Sequence, residues 1–68
     1  MDNHVYKIIE ITGTSNNSSD EAVTNAVSKA SSSINNIRWF QVIETRGSIS
    51  NGEVDRWQVT IKIGFTMN

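Results

Sequence analysis

The chain has 68 residues, with six Lys and Arg against seven Asp and Glu, one His, no Cys and a formal net charge of −1 at pH 7. A domain of this length buries only about 60% of the surface that its unfolded chain exposes, so its own hydrophobic core is marginal. The absence of Cys and the single His exclude disulfides and a structural zinc site, which leaves association with other subunits as the source of extra stability. The net charge argues against binding to duplex nucleic acid.

The sequence has no recognisable targeting or membrane-spanning segment. Its first residues lack a basic stretch followed by an apolar one, and no apolar run approaches the roughly 18 residues of a membrane span. We therefore expect a cytoplasmic protein that binds neither membranes nor nucleic acid. No internal repeat or linker divides the chain, so residues 1–68 are predicted to form one domain.

The first predicted element is a β-strand over residues 5–11, a segment rich in β-branched and aromatic side chains. Val5, Ile9 and Ile11 lie on one side of a period-two pattern. The following residues, 12–17, are small and polar. This composition is typical of turns, so the segment is predicted to be a loop with Gly13 as a turn glycine.

A helix is predicted to begin after Ser18, because Ser18 and Glu21 have the spacing of a capping box. The Ser18 hydroxyl can accept from the Glu21 amide, the Glu21 carboxylate can reach back, and Asp20 suits the positive end of a helix. The apolar face follows helical spacing and is narrow, with mostly small side chains: Ala22, Val23, Ala26, Val27, Ala30 and Ile34. Such a face should pack closely on a sheet, and Asn35-Asn36 should end the helix.

Residues 37–49 alternate in a way that predicts a long second strand with apolar side chains on both faces. One predicted face consists of Ile37, Trp39, Gln41, Ile43 and Thr45. The other consists of Arg38, Phe40, Val42, Glu44 and Arg46. The dipeptide Asn51-Gly52 then predicts a type I′ hairpin turn, because both residues readily adopt positive φ.

The third strand follows the turn directly and has one strongly apolar face. Its members are Trp57, Val59, Ile61, Ile63 and Phe65. This face is predicted to lie under the helix, and pairing across the hairpin should add Phe40 and Val42 to it. Trp39 and Gln58 should then share the opposite face. The chain is thus predicted to be an α+β domain of order β-α-β-β, with a three-stranded antiparallel sheet partly wrapped around one helix.

An indole on the face away from the helix needs a cover, because large exposed apolar groups are unfavourable in a monomer. From the pattern alone, a subunit interface is the simplest cover for Trp39, and Gln58 is a solvated strand residue. Arg46 is expected to be solvated or paired with a carboxylate such as Glu44 or Glu53. The sequence offers no pattern for a catalytic or a metal site.

Three blocks of the sequence resemble the dodecin family. They are VYKIIEITGTS at residues 5–15, NIRWFQVIETRG at 36–47 and WQVTIKIGF at 57–65, and together they cover nearly the whole chain in the family's order. The resemblance implies a hollow homododecamer in which flavins bind in stacked pairs at two-fold axes between subunits. It also implies a non-catalytic function, the binding, storage and buffering of FMN or riboflavin.

The resemblance also implies roles for three residues. Trp39 falls on the tryptophan that stacks on the flavin, and Gln58 falls on the glutamine that hydrogen-bonds the polar edge of the flavin ring. Arg46 matches an arginine near the phosphate of FMN. Bacterial members of the family also bind coenzyme A at subunit interfaces, and coenzyme A is kept as a second candidate ligand.

Two positions depart from the family pattern. Trp57 stands where relatives commonly have a tyrosine, and is assigned to the core or an interface. Thr66 stands where some relatives have an arginine, which removes a cation and weakens the case for phosphorylated flavin over riboflavin. Two other functions are kept as alternatives, a small flavin-dependent oxidoreductase and a structural oligomer without a ligand.

Overall fold

The computed structural model describes residues 3–67. Its elements are β1 (Tyr6–Ser15), α1 (Ser19–Ser31), β2 (Ile37–Ser50) and β3 (Glu53–Thr66). The strands form one antiparallel sheet in the order β1-β3-β2, so the last strand of the chain is the central one. This confirms the predicted α+β class and the order β-α-β-β. Within the described residues, no helix is long and apolar enough to cross a membrane.

The first strand is longer than predicted, because residues 12–15 continue it instead of forming a loop. Thr12 pairs with Thr60 and Ser15 with Trp57, and the two threonine hydroxyls lie 2.9 Å apart. Gly13 lies directly beneath the helix, where a β-carbon would collide with the carbonyl oxygen of Ala22. Its role is therefore close packing of helix on strand, and the prediction of a turn glycine is wrong.

The helix begins as predicted. Ser18 is the N-cap, and its hydroxyl accepts from the Glu21 amide at 3.0 Å. The Glu21 carboxylate, however, accepts from the Ser15 hydroxyl at 2.9 Å and from the Asn17 amide at 3.1 Å. These hydrogen bonds, first that of Asn17 and then that of Ser15, lower the pKa of Glu21. The cap thus ties the end of β1 to the first turn of α1.

The helix ends at Ser31, earlier than predicted from the pair Asn35-Asn36. The Ser32 hydroxyl bonds back to the Lys29 carbonyl at 2.7 Å, competing for a carbonyl that would otherwise continue the helix. A turn follows, and Asn36 adopts a left-handed φ of 66° immediately before β2. Its carbonyl accepts from the Thr66 amide at 3.1 Å, which fixes the start of β2 beside the end of β3.

The core lies between α1 and the middle of the sheet. Its buried members are Ala22, Ala26, Ala30, Val59, Ile61 and Ile63. The alanines let the helix approach β1 and β3 closely, and Trp57 packs against the edge of this core, as expected. At roughly 1.5–3 kcal/mol for each large side chain, the three fully buried Val and Ile residues contribute little relative to the chain's conformational entropy. The monomer core is therefore as small as the sequence indicates.

The second strand contains register shifts that the simple alternation did not predict. A shift between Ile37 and Trp39 turns Ile37 towards the core, and a second shift between Val42 and Glu44 follows at Ile43. After this second shift, Glu44 lies opposite Thr60 on the face away from the helix. The predicted grouping of the strand's side chains is therefore wrong at both ends of the strand.

Phe40 and Val42 do lie on the helix side of the sheet, opposite Ile63 and Ile61. They are nevertheless 51% and 46% exposed, because α1 covers β1 and β3 and stops short of β2. The prediction that they join the helix-facing apolar face is confirmed, but in the single chain this part of the face is left uncovered. The hairpin turn is as predicted, with positive φ at Asn51-Gly52.

Candidate functional site

The face of the sheet away from α1, here called the outer face, carries an aromatic group at one end. Trp39 lies opposite Gly64, and its indole occupies the space above that glycine. The Tyr6 ring meets the indole edge-on, with ring centroids 6.0 Å apart and an interplanar angle of 64°. Trp39 is half-buried and lies outside the core cluster. The predicted position of Trp39, away from the helix, is confirmed.

The same face carries a polar pair further along the hairpin. Arg46 lies opposite Gln58, and its Nε donates to the Gln58 amide oxygen at 3.0 Å. The register shift at Ile43 is what places Arg46 on the outer face. Arg46 thus shares a face with Trp39, whereas the sequence alternation assigned the two residues to opposite faces. Arg46 is exposed, in agreement with one of the two interpretations of the pattern, and its partner is Gln58 and not a carboxylate.

The hydrogen bond also fixes the orientation of the Gln58 amide. A guanidinium has only donors, so the amide presents its oxygen to Arg46 and directs Nε2 elsewhere. Gln58 is half-buried and Arg46 is exposed. The pair therefore offers amide and guanidinium N–H donors on the outer face, a suitable arrangement for a ligand edge rich in acceptors.

The aromatic group and the polar pair are far apart in one subunit. Gly64, opposite Trp39, and Gln58 are six residues apart on β3. At about 3.3 Å per residue this separation is about 20 Å along the strand. A ligand the size of one flavin ring cannot contact both groups of the same subunit, so a site that uses both must combine two copies.

Other apolar surfaces of the subunit also lack a cover. A groove between α1 and β2 is lined largely by Val23, Val27, Phe40 and Val42. Every residue of β2 from 40 to 50 is exposed, and β2 is an edge strand. Long exposed edges and apolar grooves of this kind are typical of subunits that associate.

Thr66 is unusual at the aromatic end of the outer face. It pairs with Tyr6 across the β1–β3 ladder and is 4% exposed, yet among residues 3–67 its hydroxyl has no hydrogen-bond partner. Buried polar groups are normally bonded, so a partner from an ordered water, another copy or a ligand is expected. Separately, no group of three or more His, Cys, Asp or Glu side chains in the described part of the chain could hold a metal ion.

The fold and the outer face define a small β-α-β-β domain with an aromatic group on its outer face, an apolar groove and an exposed edge strand. The chain belongs to the dodecin family, since the family model Dodecin matches residues 5–68. This confirms the resemblance found in the sequence. A curated relative, the dodecin of Thermus thermophilus, is 35% identical over 63 residues that span 93% of this chain and 91% of that protein.

Solved structures agree with this assignment. The dodecin of Streptomyces coelicolor is 44% identical and superimposes with a TM-score of 0.94. The match covers 100% of this chain and 97% of the Streptomyces coelicolor chain. The calcium dodecin of Mycobacterium tuberculosis is 33% identical with a TM-score of 0.82, covering 94% of this chain and 91% of that one. That structure is described as having a novel calcium-binding site.

Sequence reasoning missed two parts of the aromatic group, Gly64 beneath the indole and Tyr6 at its edge. A glycine within a strand pattern was the available signal, because it often marks a place where another group approaches the backbone closely. The polar pair was missed for a different reason. Its geometry depends on the register shift at Ile43, and no local residue pattern indicated that shift.

Proposed function

We propose that this protein is a non-catalytic flavin-binding protein that stores and buffers FMN or riboflavin as a homododecamer. Flavin pairs would stack between Trp39 side chains of two subunits at two-fold interfaces. The observation that carries the proposal is the position of Trp39, which lies outside the core on the same face as Gln58 and Arg46. Membership in the dodecin family supports the same conclusion.

Stacking is the physical basis of binding. The isoalloxazine ring of a flavin is planar and electron-poor, and an electron-rich indole offers it a large apolar surface. Aromatic pairs of this kind contribute about 0.5–1.5 kcal/mol beyond the burial of area. A two-fold axis supplies two copies of Trp39, so each flavin pair gains this contribution at both of its outer surfaces.

Gln58 and Arg46 supply polar recognition. With its oxygen held by Arg46, Gln58 presents Nε2 as a donor, which suits the carbonyl oxygens and acceptor nitrogen of the flavin pyrimidine ring. The guanidinium retains further N–H donors, which suit a phosphate. Because these groups lie about 20 Å from Trp39 in one subunit, we assign them to a site completed by a neighbouring copy.

The requirement for two copies links binding to assembly. A ligand that binds only the assembled form stabilises that form by mass action. Flavin should therefore raise the thermal stability of the oligomer in a concentration-dependent way. The exposed groove and edge strand described above supply the apolar surface that such an assembly buries.

The central experiment compares the two tryptophans. Wild-type protein is purified, its mass in solution is measured, and riboflavin and FMN are titrated by flavin fluorescence. Trp39→Ala should weaken binding by roughly tenfold or more and reduce quenching, because one stacking surface is lost from each subunit. Trp57→Phe is the matched control. Trp57 packs on the helix side, so its replacement should leave flavin binding unchanged.

The outcomes separate the alternatives. Equal affinity and quenching in wild type and Trp39→Ala would remove Trp39 from the site, and a colourless wild type that quenches no flavin would favour a structural oligomer. Oxidation of NADH well above the rate of free flavin would favour an oxidoreductase. Parallel titrations with coenzyme A and with calcium test the second candidate ligand and the property named for the Mycobacterium tuberculosis relative. The cytoplasmic location stays a prediction from sequence.

A further inference from the structure

We propose that Gly64 is a positioning residue for ligand binding, because the absence of its side chain sets the location of the Trp39 indole on the sheet. This inference rests on the proposed function, since it assigns a reason for the placement of the stacking ring. It concerns the backbone beneath the ring, and not the groups that touch the ligand.

The space above Gly64 is occupied by the Trp39 indole. A β-carbon built there would meet three atoms first, all from the Trp39 ring: Cε2, Cζ2 and Nε1, the last at 2.6 Å. Real β-carbons essentially never come within 3.0 Å of such atoms, so something would have to move. The indole therefore uses the volume that any other residue at position 64 would fill.

Backbone conformation does not explain this glycine. Gly64 lies two residues before the end of β3 and is paired on both sides, with Ile8 and with Trp39. Among residues 3–67, Gly52 is the glycine with positive φ. Glycine weakens a strand interior because it has no side chain to pack and loses more entropy on folding. A glycine at this position therefore destabilises the strand. Its compensating benefit is the space that it leaves for the Trp39 indole.

The ring is held from the side as well as from below. Tyr6 contacts it edge-on across the sheet, in the arrangement that aromatic pairs prefer. The ladder on both sides of Gly64 keeps the backbone in place, so a methyl group there would displace the indole and not the strand. At a two-fold site both indoles would move, and the spacing that accommodates stacked flavins would change at both ends.

The test uses Gly64→Ala in the full-length assembled protein, with riboflavin as the probe. We expect unchanged far-UV circular dichroism and unchanged mass in solution. Near-UV circular dichroism of the ligand-free protein should change, because it reports the packing of aromatic rings such as Tyr6 and Trp39. Riboflavin affinity should fall by about tenfold or more, which is the scale of losing a stacking contact at both ends of the site.

A double-mutant cycle distinguishes positioning from a general packing defect. If Gly64 acts through the indole, Gly64→Ala should have no further effect on riboflavin binding in a Trp39→Ala background. Additive losses of affinity would overturn the proposal, and so would an unchanged near-UV spectrum with wild-type affinity. If Gly64→Ala alone fails to fold, recovery of folding in the Trp39→Ala background supports the contact with the ring. Failure of the double variant as well overturns it.

The two proposals fail in different ways. A wild-type protein that binds neither riboflavin nor FMN refutes the proposed function and, with it, a role of Gly64 in binding. A wild-type protein that binds riboflavin, together with a Gly64→Ala variant that binds it equally well, refutes the role of Gly64 and leaves the proposed function intact.

Discussion

Arg46 donates a hydrogen bond from Nε to the amide oxygen of Gln58 across the β2–β3 ladder, at 3.0 Å. The bond determines which end of the amide faces Arg46, so Gln58 presents a donor to any ligand on the outer face. It also makes the two residues one recognition unit. A change in Arg46 is therefore expected to act on a ligand in two ways, through its own charge and through the orientation of Gln58.

Arg46→Ala should weaken riboflavin binding by about fivefold, the equivalent of about 1 kcal/mol for one hydrogen bond, because the Gln58 amide is then free to rotate. If Arg46 also contacts the phosphate, FMN binding should weaken by a larger factor. Fluorescence titration of both ligands measures the two factors. Equal factors would exclude a phosphate contact, and an unchanged riboflavin affinity would exclude the orienting role. Arg46→Lys controls for charge, since a lysine keeps the charge and lacks the planar fork.

Much of the fold could be predicted because local patterns specify it. The capping spacing from Ser18 to Glu21 predicted the helix start, and the dipeptide Asn51-Gly52 predicted the hairpin. The alternation in β3 predicted the core side, because that strand pairs without interruption to β1. These signals need no information about distant residues.

The remainder depends on contacts that no local pattern shows. The register shift at Ile43 moves Arg46 to the face of Trp39, and it is defined by pairing with β3. Gly13 was predicted to be a turn glycine because its neighbours are polar. In the structure, a glycine is needed there because α1 packs too closely on β1 to leave room for a β-carbon. The candidate site was placed by the position of Trp39 in the sequence, but its support from Gly64 required the three-dimensional structure.

Gly13→Ala should destabilise the protein strongly, by about 3 kcal/mol or more, because the added methyl group meets the backbone of α1 and cannot be relieved by a side-chain rotation. Gly52→Ala is the control. No atom lies within 4 Å of its β-carbon position, and only the positive φ of 78° is unfavourable. That conformation costs about 1–2 kcal/mol for a residue with a β-carbon. Denaturant unfolding measures both. Equal losses in the two variants would contradict the close packing of α1 on β1.

Glu21 should make the protein sensitive to acid. Its pKa is lowered in the folded state by the hydrogen bonds from Asn17 and Ser15, so at pH values between its folded and unfolded pKa the unfolded chain binds more protons. The stabilisation is therefore present above the unfolded pKa and is lost as the pH falls through the folded pKa. Melting temperatures of wild type and Glu21→Gln are measured from neutral pH down into acid. They should differ most at neutral pH and converge as the pH falls through the folded pKa. A constant difference would contradict this assignment.

Thr66→Val tests the hydroxyl that has no partner within residues 3–67. Valine has nearly the same shape, and removing an unbonded buried hydroxyl should leave the ligand-free protein equally stable or stabilise it by about 1 kcal/mol. Thermal unfolding without and with riboflavin measures the effect. A loss of stability in the ligand-free assembly would mean that another copy or a bound water bonds the hydroxyl. A loss of ligand-induced stabilisation alone would place the hydroxyl in the ligand site.

Phe40→Asp tests whether the groove between α1 and β2 is covered by another copy. Phe40 is 51% exposed in the single subunit, so a charge there is tolerated by a monomer, whereas burial of an unpaired carboxylate in an interface costs several kcal/mol. We expect the variant not to assemble, so that its mass in solution falls below that of the wild-type oligomer and it no longer quenches flavin fluorescence. Asn16→Asp is the control, since it adds the same charge at an exposed position beside the positive end of α1. An assembly of normal mass in Phe40→Asp would show that this groove stays open to solvent and that the copies associate through other surfaces.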